Sequence, residues 1–339
     1  MVGEGQKVSD GLNIDIHAHF LGRRTLETLR AGYWGSRLVD DGQGGERFII
    51  QGRNPGRLAR SFHNPVQRLK DMDATGIDIQ AISVIPFLFH YELDPVAGSE
   101  LARLQNDDLA ETTRAFPDRF VGLATLPLPH VEAALVELRR AVNEHDFKGV
   151  EIGSHAGEVE LDDHRLRPLW AALEELDLFV FLHPYNVAGA ERMQAYHLWN
   201  LIGNPLDTTL AAARLVFGGV MADFPRLKIC LAHTGGYVPW VRGRWEHGYS
   251  VRPECAVAIP QRPSSYIDRF YFDTIAHFSP ALEYLVSLAG PGRLLLGTDY
   301  PFDMADPQPM GTIANLSNLA QADRRQIAGQ TAASLLKLV

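Results

Sequence analysis

Short apolar runs recur along the chain, and each is followed by a longer segment with helical spacing. Segments such as 131–145 and 165–177 repeat apolar residues at i, i+3, i+4 and i+7, as one buried helix face requires. This alternation predicts an α/β fold, a (β/α)₈ TIM barrel. The eight apolar runs, which favour β-strands, lie at 12–16, 77–85, 120–126, 149–152, 178–182, 228–232, 270–275 and 293–297.

A doubly wound open sheet is the competing architecture. Such sheets usually begin with a glycine-rich phosphate-binding turn, whereas the first run here leads into His17-Ala18-His19. Two insertions, at about 20–70 and 184–212, follow strand ends. We therefore expect loops or short helices there, over the C-terminal mouth of the barrel. Barrels of this type commonly reach this length, so we expect residues 1–339 to form a single domain.

The composition narrows the range of partners. Of 339 residues, 46% are hydrophobic and 22% charged, enough apolar material for a large core. The net charge of −9 and the absence of a Lys/Arg run argue against nucleic acid, while a small anionic organic acid fits a few local arginines. A polar first segment and no long apolar stretch predict no secretory signal, no membrane span and a cytoplasmic location. Cys230 and Cys255 are expected to be reduced.

The strongest local signal is the histidine pair at the end of the first run. Residues two apart on a strand point the same way, so His17 and His19 suit metal chelation, although the pair alone also fits a polar strand edge. Runs five, six and eight lead into His183, His233 and Asp299. In a parallel barrel these carboxyl ends share one face, so we expect the five side chains to converge there.

One divalent metal ion is expected, and imidazole and carboxylate ligands favour Zn²⁺, with Mn²⁺ or Co²⁺ as alternatives, over magnesium or calcium. Binuclear barrel hydrolases often carry a carbamylated lysine at the end of strand four, whereas here Lys148 stands at the opposite end. Glu151 is interpreted as a polar residue inside the barrel near the metal. A second site at Glu151 and His155 is a less favoured alternative. We expect the other predicted loop histidines, His63, His90, His197, His247 and His277, to lie on the surface.

Further segments resemble the amidohydrolase superfamily, in the decarboxylase branch typified by 2-amino-3-carboxymuconate-6-semialdehyde decarboxylase. The resemblance extends over nearly the whole chain. The segments that carry it are Asp15–His19, Arg68–Asp73, Asn106–Leu109, Phe116–Phe120, Leu161–Asp163, Gly203–Pro205, His233–Gly236 and Gly297–Phe302.

This resemblance implies that His17, His19, His183 and Asp299 are the metal ligands. It also implies that His233 is the general acid/base beside the metal and that Asp299 belongs with it to the catalytic residues. Such enzymes need no organic cofactor, because the conjugated substrate and the cation act as the electron sink.

For substrate binding, the resemblance implies that Arg244 comes from the neighbouring subunit of a homodimer and that Phe302 lines the pocket. The second carboxylate-binding arginine of this branch has no clean match, so Arg47 and Arg60 are both candidates. Tyr185 stands where the branch has a tryptophan, which alters the pocket wall.

The favoured function is non-oxidative decarboxylation of an unsaturated or aromatic carboxylic acid, such as aminocarboxymuconate semialdehyde or a hydroxybenzoate. The same site could instead hydrolyse a lactone, ester or amide, or hydrate an unsaturated polycarboxylate. A non-catalytic scaffold is a further alternative, against which the complete set of candidate ligands argues.

Overall fold

The computed structural model describes residues 11–50, 56–317 and 319–338. The expectation about a secretory signal falls on residues 1–10, which lie outside the described residues, as do 51–55 within the first insertion. The strands are β1 (Ile14–Phe20), β2 (Ser36–Asp40), β3 (Glu46–Ile50), β4 (Ile79–Val84), β5 (Phe120–Ala124), β6 (Gly149–Gly153), β7 (Phe179–His183), β8 (Lys228–Leu231), β9 (Tyr271–Asp273) and β10 (Leu294–Leu295).

Eight of these strands form one parallel sheet in the order β1, β4, β5, β6, β7, β8, β9, β10. Backbone hydrogen bonds then join β1 to the segment that contains and follows β10. The Ile16 amide donates to the Leu296 carbonyl at 2.9 Å, and the Asp299 amide donates to the His17 carbonyl at 2.8 Å. The sheet therefore closes on itself, which confirms the predicted (β/α)₈ barrel.

Helices follow the barrel strands, as the apolar spacing predicts. The predicted helix at 131–145 is present with those bounds, and the one at 165–177 begins as a 3₁₀ turn. The helices are α1 (Arg23–Ala31), α2 (Pro65–Thr75), α3 (Pro95–Ala115), α4 (Val131–His145), α5 (Arg167–Glu175), α6 (Asn204–Phe217), α7 (Val220–Asp223), α8 (Val238–Val251), α9 (Ser264–Ile267), α10 (Ser279–Ala289), α11 (Pro309–Ala314), α12 (Gln321–Arg325) and α13 (Thr331–Leu335).

Strand β7 shows how the barrel directs side chains to its two sides. Val180 and Leu182 belong to the apolar cluster that includes Trp170 of α5. Phe181 belongs to a second cluster shared with neighbouring strands, and its ring lies 4.6 Å from the ring of His17. Because side chains alternate along a strand, His183 points the same way as Phe181. The strand thereby delivers a polar side chain to the end of the barrel interior.

The first insertion contains an element that the sequence analysis did not predict. Strands β2 and β3 form an antiparallel hairpin in which Ser36 pairs with Ile50 and Asp40 pairs with Glu46. Its buried side chains Leu38 and Phe48 pack in a cluster over the mouth of the barrel. The expected loops and short helices at 20–70 therefore need this correction. Alternating apolar residues on both sides of a glycine-rich turn are the signal that could have revealed it.

The second insertion contains a π-helical segment, Trp199–Gly203, which runs directly into α6.

Both cysteines are free thiols, as expected, and Cys230 is buried. In the part of the chain that the structure describes, no helix is long and apolar enough to cross a membrane.

We expect Gly149→Ala to destabilise the barrel. A methyl group on Gly149 would lie 2.2 Å from the carbonyl oxygen of Phe179 on the adjacent strand. Overpacking of this kind costs about 1–3 kcal/mol of unfolding free energy. Thermal unfolding measures the effect.

Gly243→Ala provides the matched control. An added methyl there meets nothing within 4 Å, on an exposed turn of α8. Alanine favours a helix over glycine by up to about 1 kcal/mol. A Gly149→Ala protein that melts at or above the control's temperature would contradict the close strand packing.

Candidate metal centre

Four buried side chains meet at the C-terminal mouth of the barrel. His17 and His19 come from β1, His183 ends β7, and Asp299 follows β10. One ligand atom from each lies within 4.8 Å of those of the others. The Nε2 atoms of His17 and His19 are 3.2 Å apart, and each lies 3.3 Å from Oδ1 of Asp299. The structure thus brings together the four residues predicted to bind metal.

The polar atoms at this centre fit a cation. Nε2 of His183 and Oδ1 of Asp299 are buried and have no hydrogen-bond partner among the described residues. Buried polar atoms without partners are rare in folded proteins because they lose their interaction with water. A first-row divalent ion bound by imidazole nitrogens and a carboxylate oxygen would satisfy both atoms.

Each imidazole that is predicted to bind metal is oriented by a hydrogen-bond acceptor on its far side. A neutral imidazole that donates a hydrogen bond from Nδ1 keeps the lone pair of its Nε2 available for a metal. The acceptors of the three Nδ1 atoms are Asp273 Oδ2 for His17 at 2.8 Å, the Val84 carbonyl for His19 at 3.0 Å and the Pro184 carbonyl for His183 at 2.9 Å.

Asp273, at the end of β9, is a site residue that the sequence analysis missed. Besides accepting from His17, its carboxylate accepts from the backbone amides of His233 at 2.8 Å and Thr234 at 2.7 Å. Burial opposes its charge, but the hydrogen bond and charge of His17 outweigh burial and hold the pKa of Asp273 below its usual value. Asp273 therefore fixes a predicted ligand and the His233 loop together. A carboxylate at the end of a barrel strand was the available signal.

The charges at the centre also favour a bound cation. Burial lowers the pKa of His183 well below its ordinary value, and the neighbouring imidazoles of His19 and His17 add to this, so it is neutral and able to bind metal. Burial opposes a charge on His17, but Asp299 and Asp273 outweigh it and raise its pKa to about 10. The two carboxylates thus require positive charge between them, which a divalent ion supplies.

Behind the ligands, a buried network holds the first and last barrel strands in register. The Asp15 carboxylate accepts from the Thr298 amide at 3.0 Å and hydroxyl at 2.6 Å, and from Gln80 at 2.9 Å. Gln80 in turn accepts from Arg68 at 3.0 Å, and the fully buried Arg68 guanidinium also donates to the His19 carbonyl. The backbone that carries the ligands is therefore fixed from behind.

His233 lies beside the four-residue cluster. Its Nε2 is 3.6 Å from Oδ2 of Asp299, and its ring centroid is 5.2 Å from that of His183. The backbone of His233 is left-handed, with φ of 54°. The turn after it needs a glycine, because Gly236 has φ of 61° and a Cβ there would lie 2.1 Å from the Pro205 carbonyl. This turn places the His233 imidazole next to the site, as expected.

A cavity of about 410 Å³ opens from His183 and Asp299, and Tyr185 and Phe302 line it. The Phe302 ring lies 5.3 Å from that of His19, so this part of the wall lies beside a predicted ligand. Further lining comes from Ile50, Phe87, Val187, Met193, Trp199 and Met304, which make much of the wall apolar.

The three candidate arginines lie elsewhere in the described structure. Arg47 is exposed on β3, where alternation buries its neighbour Phe48, and Arg60 is exposed at the start of a 3₁₀ turn. Arg244 is exposed on α8. Among the described residues that line the cavity, none is an arginine.

Glu151 lies where the sequence analysis expected it. It is fully buried in β6, and its Oε1 is 3.6 Å from Nδ1 of His19. His155 instead bonds the carbonyl of Gly157 at 2.6 Å.

Of the histidines expected on the surface, His197, His247 and His277 are exposed. His63 is half-buried, and His90 is 2% exposed, so the expectation for His90 is wrong. A local sequence pattern does not reveal that the hairpin covers His90.

Two curated proteins are similar to this chain over most of its length. The chain is 35% identical to 2-amino-3-carboxymuconate-6-semialdehyde decarboxylase of Dictyostelium discoideum, over 96% of this chain and 92% of that protein. It is 32% identical to gamma-resorcylate decarboxylase of a Rhizobium species, over 80% of this chain and 86% of that protein.

Among solved structures, a dihydroxybenzoic acid decarboxylase from a Polaromonas species, with bound manganese and the inhibitor 2-nitroresorcinol, superposes with a TM-score of 0.78. It shares 26% identity over 97% of each chain. The sequence profile described as amidohydrolase matches residues 14–338. With this profile spanning almost the whole chain, the protein belongs to the amidohydrolase family.

Proposed function

We propose that this protein is a metal-dependent, non-oxidative decarboxylase of an aromatic or unsaturated carboxylic acid. The observation that carries the proposal is the position of the His233 imidazole beside a fitting metal centre, two of whose residues, His183 and Asp299, line a largely apolar cavity. The two curated relatives described above are named decarboxylases, which favours CO₂ release over hydrolysis or hydration.

In the proposed reaction, His17, His19, His183 and Asp299 would hold a divalent cation, which would supply positive charge to polarise the substrate oxygens. His233 donates a proton to the carbon that bears the carboxylate, which makes that carbon tetrahedral. The C–C bond then breaks, its electron pair restores the conjugated system, and CO₂ leaves. Asp273 holds the loop of His233 in place, and Phe302 packs at the wall where a flat ring would lie.

Zinc remains our proposed ion, because three imidazoles and one carboxylate suit it. Manganese in the Polaromonas structure makes Mn²⁺ the main competitor. The cytoplasmic location and the single-domain organisation stay predictions.

We further propose a homodimer in which Arg244 reaches the neighbouring site and binds an anionic group of the substrate. In its support, Arg244 is exposed on α8, the helix that begins shortly after the His233 loop. Arg47 and Arg60 stay as candidates for a second contact, although both are exposed outside the cavity of their own chain.

Product analysis tests the proposed reaction. We expect the metal-loaded protein to convert a hydroxybenzoate or aminocarboxymuconate semialdehyde into CO₂ and the decarboxylated product in equal amounts. In deuterium oxide, one deuterium should enter at the carbon that lost the carboxylate, since the proton of His233 exchanges with solvent. Lactones and unsaturated polycarboxylates serve as comparison substrates. Their turnover without CO₂ release, together with inert aromatic acids, would contradict decarboxylation.

His233→Ala should retain the metal but lose about 10²–10⁴-fold in kcat, the usual contribution of a general acid/base.

Arg244→Ala should mainly raise KM. Mixing the two inactive or weakened proteins should restore activity, since one site of each hybrid dimer then contains both residues.

His247→Ala is the matched control, because His247 is exposed on α8 and should leave kcat unchanged. Full activity of His233→Ala would remove the residue from the reaction. Absence of recovery after verified subunit exchange would contradict the shared site.

A further inference from the structure

Buried His90 lies in a line of hydrogen bonds separate from the proposed metal centre. Its Nε2 is 2.7 Å from the Ser36 hydroxyl, and its Nδ1 is 2.7 Å from Oε1 of Glu92. Carboxylate oxygens accept hydrogen bonds, so Nδ1 of His90 is the donor to Glu92. The other oxygen of Glu92 accepts from the Tyr185 hydroxyl at 3.2 Å. Four side chains therefore form a continuous relay, Ser36–His90–Glu92–Tyr185.

The first three members have the order hydroxyl, imidazole, carboxylate, which is also the order of a nucleophilic triad. A nucleophile must reach its substrate, however, and Ser36 is only 1% exposed. Ser36 is also not among the described residues that line the cavity. Burial therefore excludes Ser36 as the nucleophile of a hydrolysis reaction. The role that fits these hydrogen-bonded side chains is to position other parts of the structure.

The two ends of the relay connect to different segments that line the same cavity. Ser36 is paired across the hairpin with Ile50, and Ile50 lines the cavity. Tyr185, two residues after His183, lines the same cavity and packs its ring 5.2 Å from that of Tyr91. The relay thus connects the hairpin over the barrel mouth to the wall beside a predicted metal ligand.

The hydrogen bonds of the relay hold the hairpin at a fixed position relative to Tyr185. The Ser36 and His90 side chains are almost fully buried, and hydrogen bonds in such surroundings are electrostatically stronger than in water. The bond from His90 to Glu92 is charge-assisted, because a carboxylate is the acceptor, although the Glu92 side chain is 47% exposed and its end of the relay is in contact with water. The backbone of His90 is held left-handed, with φ of 49°, which aims the imidazole between its two partners. A shift of the hairpin would break or lengthen these bonds.

We propose that the relay Ser36–His90–Glu92–Tyr185 is a specificity-determining device that sets the separation between the hairpin and the Tyr185 wall. It selects substrates by the size of groups remote from the reacting carboxylate. It takes no part in the proton transfer by His233. Its members are positioning residues. The kinetic consequence rests on the proposed function, whereas the coupling between hairpin and wall does not.

Hydrogen–deuterium exchange on substrate-free, metal-supplemented protein tests the coupling without any activity. We expect Ser36→Ala and Tyr185→Phe each to increase exchange in both β2–β3 and the segment after β7. The double variant should exchange little faster than either single variant, because either change interrupts the same relay. Ser287→Ala, which removes an exposed hydroxyl from α10, is the control and should change neither segment.

Steady-state kinetics of Ser36→Ala, a residue outside the cavity, tests the consequence. We expect KM to rise about twofold to tenfold for acids with bulky remote groups, the range of one hydrogen bond, with kcat within about twofold of wild type. Additive exchange in the double variant, unchanged hairpin exchange, or a loss confined to kcat would each overturn the relay. Absence of decarboxylation with coupled exchange would overturn the proposed function and leave the relay standing.

Discussion

The site depends on placing three imidazoles and a carboxylate within one small buried volume. Such groups cannot all keep their lone pairs there without a partner, because burial removes most of their contact with water. The neutral His183 nitrogen and the unpartnered Asp299 oxygen face the same point. A divalent cation resolves both the missing hydrogen bonds and the excess negative charge, and the rest of the site is arranged around that requirement.

The barrel meets this requirement through its strand ends. Strand β1 supplies two of the predicted ligands because its side chains alternate, and closure of the sheet brings Asp299 beside them. Asp15 then ties the first strand to the last, and Asp273 ties His17 to the His233 loop. The fold and the centre therefore stabilise one another, since the residues that position the ligands also join the strands.

The features that could be predicted from sequence are those with a local period or a position at a strand end. Eight apolar runs indicated the barrel, and the parallel arrangement then implied that His17, His183 and Asp299 would converge. Strand bounds shifted by a few residues, because the last hydrogen bonds of a strand depend on its neighbours. The identity of the ion is less predictable, since zinc and manganese accept overlapping ligand sets.

The features that escaped prediction depend on long-range contacts. In the sequence, Asp273 belongs to an apolar run that predicts a strand. Its contact with His17 arises only when the strands form the barrel. His90 read as a surface residue, and only the hairpin buries it against Ser36. The exposure of Arg47 follows from the alternation of side chains along β3, and that of Arg60 follows from its position at the start of a 3₁₀ turn. The positive charge of these residues does not predict either position.

Anomalous diffraction from crystals of the purified protein, supplied with zinc and manganese, tests the central claim most directly. The structure predicts about one ion per chain at roughly 2.0–2.2 Å from the Nε2 atoms of His17, His19 and His183 and from a carboxylate oxygen of Asp299. The same peak should vanish in folded His183→Ala protein. A well-folded wild-type chain with no ion among these four residues, or an ion retained there without His183, would contradict the account.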